Sequence, residues 1–137
     1  MKTLLSIPLL YILILMLCFA SCAQQVNFQK STHVPAAEVE MKIDRDKNGN
    51  YTIDLKVKNL AKPQNLTPGR KTYIVWNQGD YGSFNLGQLK LDDKLKGKLK
   101  ASSVYKPNQI IITAENNPMA TQPDNQVVLK SDEINID

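Results

Sequence analysis

The stretch EVEMKIDRDKNGNYTIDLKVK, residues 38–58, decides the fold class of this chain. Apolar side chains occupy alternate positions on both sides of the pair Asn48-Gly49: Val39, Met41 and Ile43, then Tyr51, Ile53, Leu55 and Val57. A period of two places one set of side chains on one face of a β-strand. Asn-Gly is typical of tight hairpin turns. The stretch therefore predicts two amphipathic antiparallel strands joined by a turn.

The same turn also begins like a calcium-binding loop, because oxygen-bearing side chains alternate through Asp44, Asp46 and Asn48. An EF-hand loop needs a bidentate Glu at its twelfth position and a helix on each side. The twelfth position here is Leu55, and both flanks have the pattern of strands. We therefore interpret the segment as a polar hairpin turn, and we predict neither a metal site nor a cofactor.

Five further strands are predicted after the hairpin, and Pro, Gly, Asn or Asp residues separate them. They cover residues 72–76, 84–91, 98–104, 109–114 and 126–130. The first of these is β-branched or aromatic on both faces, which is typical of a central strand. Seven short strands favour an all-β fold, namely an immunoglobulin-like antiparallel β-sandwich over residues 37–130.

The composition excludes several classes of protein. A length of 137 residues fits one domain. The net charge of +4 is too small to indicate a nucleic-acid binder, which clusters Lys and Arg on one face. Two Cys and one His exclude most zinc sites built within one chain. The only His, His33, lies outside the predicted strands, where no fixed geometry supports a catalytic base.

The first 22 residues have the pattern of a secretory signal, with a basic start and an apolar run from Leu4 to Ala20. The sequence Phe19-Ala20-Ser21-Cys22 resembles the lipobox of bacterial lipoproteins, in which small residues precede a Cys that becomes lipidated. This resemblance implies a signal peptide over residues 1–21, lipid attachment at Cys22 and location in the bacterial cell envelope. Ala23 then favours the outer membrane over the inner one. The alternative is an uncleaved signal anchor with an incidental Cys.

The remaining segments on either side of the sandwich are short and polar. Residues 22–36 are predicted to form a tether, because residues 23–36 sustain no period of 2 or 3.6. Residues 23–36 would span about 20 Å as a coil and about 43 Å when extended. Residues 131–137 predict an acidic tail.

Four short motifs in the second half of the chain occur in an order that resembles a known family. They are Tyr73-Ile74-Val75-Trp76, Asn85-Leu86-Gly87, Ile112-Thr113-Ala114-Glu115 and Val127-Val128-Leu129, with Pro123 before the last. Together they resemble the C-terminal extracytoplasmic domain of anti-sigma-K factors over residues 50–130. The resemblance implies a β-sandwich with a sensor-like role. The cytoplasmic part of that family, with its zinc-associated residues, has no counterpart here, so sigma-factor sequestration is not implied.

Candidate ligand contacts lie in the predicted loops, because the ends of sandwiches are common binding surfaces. Tyr81 lies between two glycines, and Glu115, Asn116 and Asn117 begin the longest late loop. Trp76 could join an aromatic platform with Tyr81, although a Trp at the centre of a strand is usually a core residue.

Five lysines crowd eleven residues and could contact phosphates or anionic headgroups, or simply form a solvated face. They are Lys90, Lys94, Lys96, Lys98 and Lys100.

These observations predict a lipid-anchored, non-catalytic envelope sandwich that binds or senses a ligand, an envelope protein or a glycan. Its partners are expected to include the membrane but no nucleic acid. Two alternatives stay open: a structural component of an envelope assembly, and a small hydrolase with a pair of carboxylates.

Overall fold

The computed structural model describes Tyr11 and residues 23–136, and the predicted all-β sandwich is confirmed. The predicted signal peptide and the lipid-attachment residue Cys22 lie outside the described residues. Eight strands are present in the described part: β1 (Gln24–Val26), β2 (Glu38–Arg45), β3 (Tyr51–Lys58), β4 (Thr72–Gly79), β5 (Gly82–Leu89), β6 (Gly97–Ser103), β7 (Gln109–Glu115) and β8 (Val127–Lys130). The seven predicted strands correspond to β2–β8, and β1 is additional.

The strands form two four-stranded antiparallel sheets, ordered β1-β2-β3-β6 and β5-β4-β7-β8. The chain crosses between the sheets after β3, after β5 and after β6. Strands β2–β8 therefore follow the immunoglobulin-like order, with A, B and E in one sheet and C′, C, F and G in the other.

The main core lies between the sheets and uses the alternation that the sequence displays. Met41 pairs in register with Leu55, and Ile43 with Ile53, and each of these side chains is at most 1% exposed. Side chains of β4 and β7 cover them from the other sheet. Burial of each aliphatic side chain contributes about 1.5–3 kcal/mol to folding, so this core accounts for much of the stability.

The β2–β3 turn is a hairpin turn, as predicted. The pair Asp46 and Asn50 closes a loop of three residues, Lys47, Asn48 and Gly49. The Asp46 N–H donates to the Asn50 carbonyl at 2.9 Å, and Gly49 has a φ of +80°. The Asp46 carboxylate accepts the N–H groups of Asn48 and Asn50 at 2.8 and 2.9 Å. This carboxylate therefore organises the turn through the backbone.

Residues 23–36 are not the free tether that the sequence predicts, because strand pairing and two buried valines attach them to the sandwich. β1 extends the first sheet, with Gln24 opposite Ile43, and Val26 and Val34 are buried. Phe28 then bridges to Ser131 at the end of β8, so this segment covers the side of the sandwich where β2 and β8 lie. Val26, Phe28 and Val34 thus attach the segment to the sandwich, although they are not spaced with a regular period.

The predicted acidic tail is also packed. Ser131 is fully buried, Ile134 is 3% exposed, and the Ile134 N–H donates to the Asn108 carbonyl at 2.8 Å. Asp132 and Glu133 remain exposed, so the charged residues point away while the apolar one is buried.

The loops divide between the two ends of the sandwich. The hairpin end carries the β2–β3 turn (46–50), the β4–β5 turn (80–81) and the β6–β7 loop (104–108). The opposite end carries the connections 59–71, 90–96 and 116–126. Because β1 is antiparallel to β2 and Gln24 lies opposite Ile43, the chain enters the sandwich toward the hairpin end.

The packing of residues 23–36 can be tested by substitution. We expect Val34→Ala to lower the free energy of unfolding by about 1–2 kcal/mol, because each buried methyl or methylene group is worth about 0.8 kcal/mol. The exposed neighbour Thr32 supplies the control, since Thr32→Ala should change stability by less than about 0.5 kcal/mol. Chemical denaturation measures both values, and equal effects of the two substitutions would support a free tether instead.

Candidate functional site

The predicted contact residues do not form one site. Tyr81 lies in the β4–β5 turn at the hairpin end, whereas Glu115, Asn116 and Asn117 lie at the start of the β7–β8 loop at the opposite end. The sequence places all four in loops or at a strand end, but the two groups of loops leave the sandwich in opposite directions.

Glu115, which the sequence predicts as a ligand contact, is buried and makes structural contacts. Its side chain is 5% exposed, and its Oε1 accepts the Thr113 hydroxyl at 2.5 Å and the Asp124 N–H at 2.7 Å. Thr113 and Glu115 lie two positions apart on β7 and therefore share the outer face of the sheet. The β7–β8 loop folds over that face, so the carboxylate holds the loop.

Trp76 is buried beneath the same loop and does not lie between the sheets. It forms a second, smaller core on the outer face of the sheet with Ile74 and Ile111, which Ala120 and Val127 cover. The Trp76 Nε1–H donates to the Thr113 hydroxyl at 2.8 Å. Trp76 therefore belongs to a core, as the general tendency of strand-centre Trp residues favours, and forms no platform with Tyr81.

Arg70 secures the loop from the side. Its Nη2 lies 3.3 Å from the Asp124 carboxylate, and its Nε–H donates to Gln126 Oε1 at 2.7 Å. The Gln126 amide donates in turn to the Pro68 carbonyl at 3.1 Å. Two connections at the opposite end are thus joined by polar contacts.

Asn117 is exposed and begins a turn that presents Met119 to solvent. The Asn117 side-chain oxygen accepts the Met119 N–H at 3.0 Å, and Met119 is 80% exposed. Asn85 of β5 donates its amide hydrogens to the Pro118 and Ala120 carbonyls at 3.2 and 3.0 Å. The turn is therefore fixed against β5.

A groove of about 570 Å³ lies between β5 and this turn, and we call it the β5 groove. It is lined by Ser83, Phe84, Asn85, Leu86, Gly87, Gln88, Pro118, Met119, Ala120 and Thr121. β5 is the last strand of its sheet, so within the described residues no strand pairs with its outer edge. Backbone hydrogen-bonding groups on such an edge can bind another extended chain. The groove joins residues more than 30 positions apart, and no local sequence pattern signals it.

The second exposed feature is an aromatic cluster at the hairpin end, formed by Tyr81, Phe84 and Tyr105. The rings of Phe84 and Tyr105 are stacked, with centroids 4.3 Å apart, and the rings of Tyr81 and Tyr105 lie 5.4 Å apart at 44°. Tyr81 is 79% exposed, as predicted for its loop, and Tyr105 is 38% exposed. The sequence gives no indication that Tyr105 belongs beside Tyr81.

Polar contacts from Asn77 and Asn108 position this aromatic cluster. The Asn77 amide donates to the Ser103 hydroxyl at 2.8 Å and to the Tyr105 carbonyl at 3.0 Å, while the Asn77 side chain is fully buried. The Asn108 amide donates to the Asp80 carboxylate at 2.6 Å and thereby joins the turn 80–81 to the loop 104–108. Tyr81 and Tyr105 therefore lie on two loops that are fixed to each other, while Phe84 lies on β5.

The predicted lysine cluster is partly gathered into a cavity of about 720 Å³ at the opposite end. Lys90, Lys96 and Lys98 line it together with Lys56 and Lys58 of β3. Lys94 and Lys100 do not line it.

Two carboxylates, Glu40 and Asp92, also line this cavity and reduce its positive charge. The backbone N–H of Lys96, supported by that of Lys94, lowers the pKa of the Asp92 carboxyl. Asp92 therefore stays ionised beside the lysines.

The described residues, Tyr11 and 23–136, bring together no group of three His, Cys, Asp or Glu side chains that could hold a metal ion. They also contain no helix that is both long and apolar enough to span a bilayer. Burial raises the pKa of Tyr73 to about 12, and its hydroxyl donates to the Ala61 carbonyl at 2.6 Å, which makes it a structural contact.

Searches of protein-family models, curated proteins and solved structures find no match to this chain.

The lysines of β6 allow a matched electrostatic test. Lys98 lies directly opposite Lys56, whereas Lys100 lies directly opposite Asp54. Like charges opposite each other destabilise a sheet and unlike charges stabilise it, by about 0.2–1 kcal/mol. We therefore expect Lys98→Glu to raise the free energy of unfolding and Lys100→Glu to lower it, when denaturation is measured at low salt. A shift of the same sign in both variants would contradict this pairing.

The structural role of Glu115 is measurable through Trp76, the only Trp in the chain. Glu115→Ala removes the acceptor of two hydrogen bonds, and we expect it to cost about 1–3 kcal/mol of stability. We also expect Trp76 fluorescence to become more accessible to acrylamide, because the loop over the indole loosens. Glu115→Gln keeps an oxygen acceptor and should retain most of the stability. Unchanged stability and unchanged acrylamide quenching in Glu115→Ala would contradict the structural role of Glu115.

Proposed function

We propose that this chain is a lipid-anchored, non-catalytic β-sandwich of the bacterial cell envelope that binds an extended segment of an envelope protein along the β5 groove. The outer membrane is the favoured location. The observation that carries the binding role is the unpaired edge of β5 beside a fixed turn with an exposed methionine.

Strand addition is the chemistry that fits this groove. An extended peptide placed along an open sheet edge gains main-chain hydrogen bonds, while pockets beside the edge select alternate side chains. Met119 supplies a flexible, polarisable contact of the kind used at adaptable binding surfaces. The contacts from Asn85 to the turn hold the backbone on either side of Met119 in place before a partner arrives, which lowers the entropic cost of binding.

The lipid anchor is supported by the resemblance of Phe19-Ala20-Ser21-Cys22 to a lipobox. The resemblance of residues 50–130 to the outer domain of anti-sigma-K factors supports a sensing or adaptor role of the sandwich. Neither resemblance supports binding to a sigma factor.

The test of the groove uses a phage-displayed library of random peptides, selected on the full lipoprotein in detergent micelles. We expect enriched peptides to slow amide hydrogen exchange at residues 83–88, because they pair with the edge of β5. Met119→Asp should weaken their binding at least about tenfold, which corresponds to about 1.4 kcal/mol.

Val104→Asp is the matched control, since Val104 is also strongly exposed but lies in the loop at the hairpin end. It should leave peptide binding unchanged. Failure to enrich any peptide above bare micelles, or protection of another surface by the peptides, would contradict the proposed groove.

A further inference from the structure

The number of residues between Cys22 and β1 limits the distance between Cys22 and the sandwich. Only Ala23 separates Cys22 from Gln24, the first residue of β1. Two residues of chain span at most about 7 Å. A lipid attached at Cys22 would therefore hold the domain directly against the bilayer surface, instead of at the end of a long tether.

The register of β1 decides which end of the sandwich is held there. Gln24 lies opposite Ile43 and Val26 lies opposite Met41, so the chain preceding Gln24 runs toward Arg45 and the β2–β3 turn. The hairpin end is thus the end at which β1 begins. The β5–β6 connection and the β7–β8 loop lie at the opposite end of the strands.

The exposed apolar side chains are concentrated at that same end. Within residues 23–136, four large apolar side chains are exposed, and three of them lie in the loops of the hairpin end: Tyr81 at 79%, Val104 at 69% and Tyr105 at 38%. The fourth is Met119 of the β5 groove. Tyrosine suits the boundary between lipid and water, because its ring is apolar and its hydroxyl can remain hydrated.

The formal charges of the hairpin end do not favour an attraction to anionic headgroups. The turns, the adjoining strand ends and the segment after β8 carry three cations and five carboxylates: Arg45, Lys47 and Lys106, and Asp44, Asp46, Asp80, Asp132 and Glu133. The lysine-lined cavity, which could contact anionic headgroups, lies at the opposite end. Contact with the bilayer through this end would therefore depend on the aromatic and apolar side chains.

From these observations we propose that the aromatic cluster and Val104 lie in the headgroup region of the membrane. They would orient the sandwich with its hairpin end toward the bilayer and its opposite end away from it. This inference rests on the proposed lipid anchor at Cys22. A weak contact is sufficient, because an attached domain meets the bilayer at a high effective concentration. The two loops are already fixed to each other through Asp80 and Asn108, so little order is lost on contact. The lysine-lined cavity then lies on the membrane-distal side, while the Met119 turn, which is fixed to Asn85 in the middle of β5, lies along the side of the sandwich.

The test places an added indole at either end of the full lipoprotein in bilayers of phosphatidylcholine with brominated acyl chains. Trp76 is fully buried and supplies a constant background in every variant. We expect bromine to quench the emission of Tyr81→Trp well beyond that of the wild type. Lys94→Trp, at the exposed opposite end, should show no such loss.

A second pair of variants tests the contact itself. Adding Val104→Asp to Tyr81→Trp should reduce the quenching, because a carboxylate opposes insertion of the neighbouring loop. Adding Asn65→Asp, at an exposed position in the connection 59–71 of the opposite end, should leave the quenching unchanged. Replacing part of the phosphatidylcholine by anionic lipid should not increase it.

The anchor is measured separately, by mass spectrometry of the wild type and Cys22→Ser. Absence of acylation would refute the anchor, and docking would then be tested by coupling a chain that begins at Cys22 to a maleimide lipid. That chain contains both sheets and has Cys22 as its only cysteine. Equal quenching of Tyr81→Trp and Lys94→Trp in acylated or coupled protein would overturn the docking proposal and favour a protein partner for the aromatic cluster.

Discussion

The burial of β4 on both faces is the constraint on which the rest of this structure depends. Six consecutive residues from Thr72 to Asn77 are buried, so neither face of the strand meets solvent. Tyr73 and Val75 belong to the core between the sheets, and Ile74 and Trp76 belong to the smaller core outside them. A sandwich supplies cover for only one face of each sheet. The other face of β4 therefore requires an additional layer, and the β7–β8 loop provides it.

That additional layer creates the β5 groove. The loop must cross the outer face of the sheet to cover Trp76, and Glu115 and Arg70 hold it through hydrogen bonds and an ion pair. Its turn then lies close enough to β5 for Asn85 to bind two of its carbonyls. The same packing that stabilises the strand thus places an exposed methionine beside an open sheet edge. Residues that the sequence indicates as ligand contacts, Glu115 above all, instead hold the wall of this candidate site.

The two ends of the molecule expose different side chains, and this difference is the basis for the proposed orientation at the membrane. Aromatic side chains are exposed at the hairpin end, where the N-terminal segment enters the first sheet, while lysines line a cavity at the opposite end. Asn77 connects the hairpin end to the core, because its buried amide binds the backbone that carries Tyr105. Asn108 joins the two loops of that end through Asp80. A surface supported by these contacts is suited to binding without rearrangement.

The sequence by itself determined the strands and the class of the fold, because alternation along β2 and β3 and the apolar run of β4 are local patterns with one favourable structural outcome. It also indicated that Tyr81 would be exposed, since a residue between two glycines in a loop has few neighbouring side chains to cover it. It did not determine that residues 24–34 and Ile134 pack on the sandwich, because apolar residues without a regular period do not indicate which surface they contact. Only the tertiary structure decided that Glu115 is buried, that Tyr105 stacks on Phe84 and that Asn85 meets the turn after Asn117. Those contacts join distant parts of the chain, and they depend on which strand faces and loop ends the two sheets bring together.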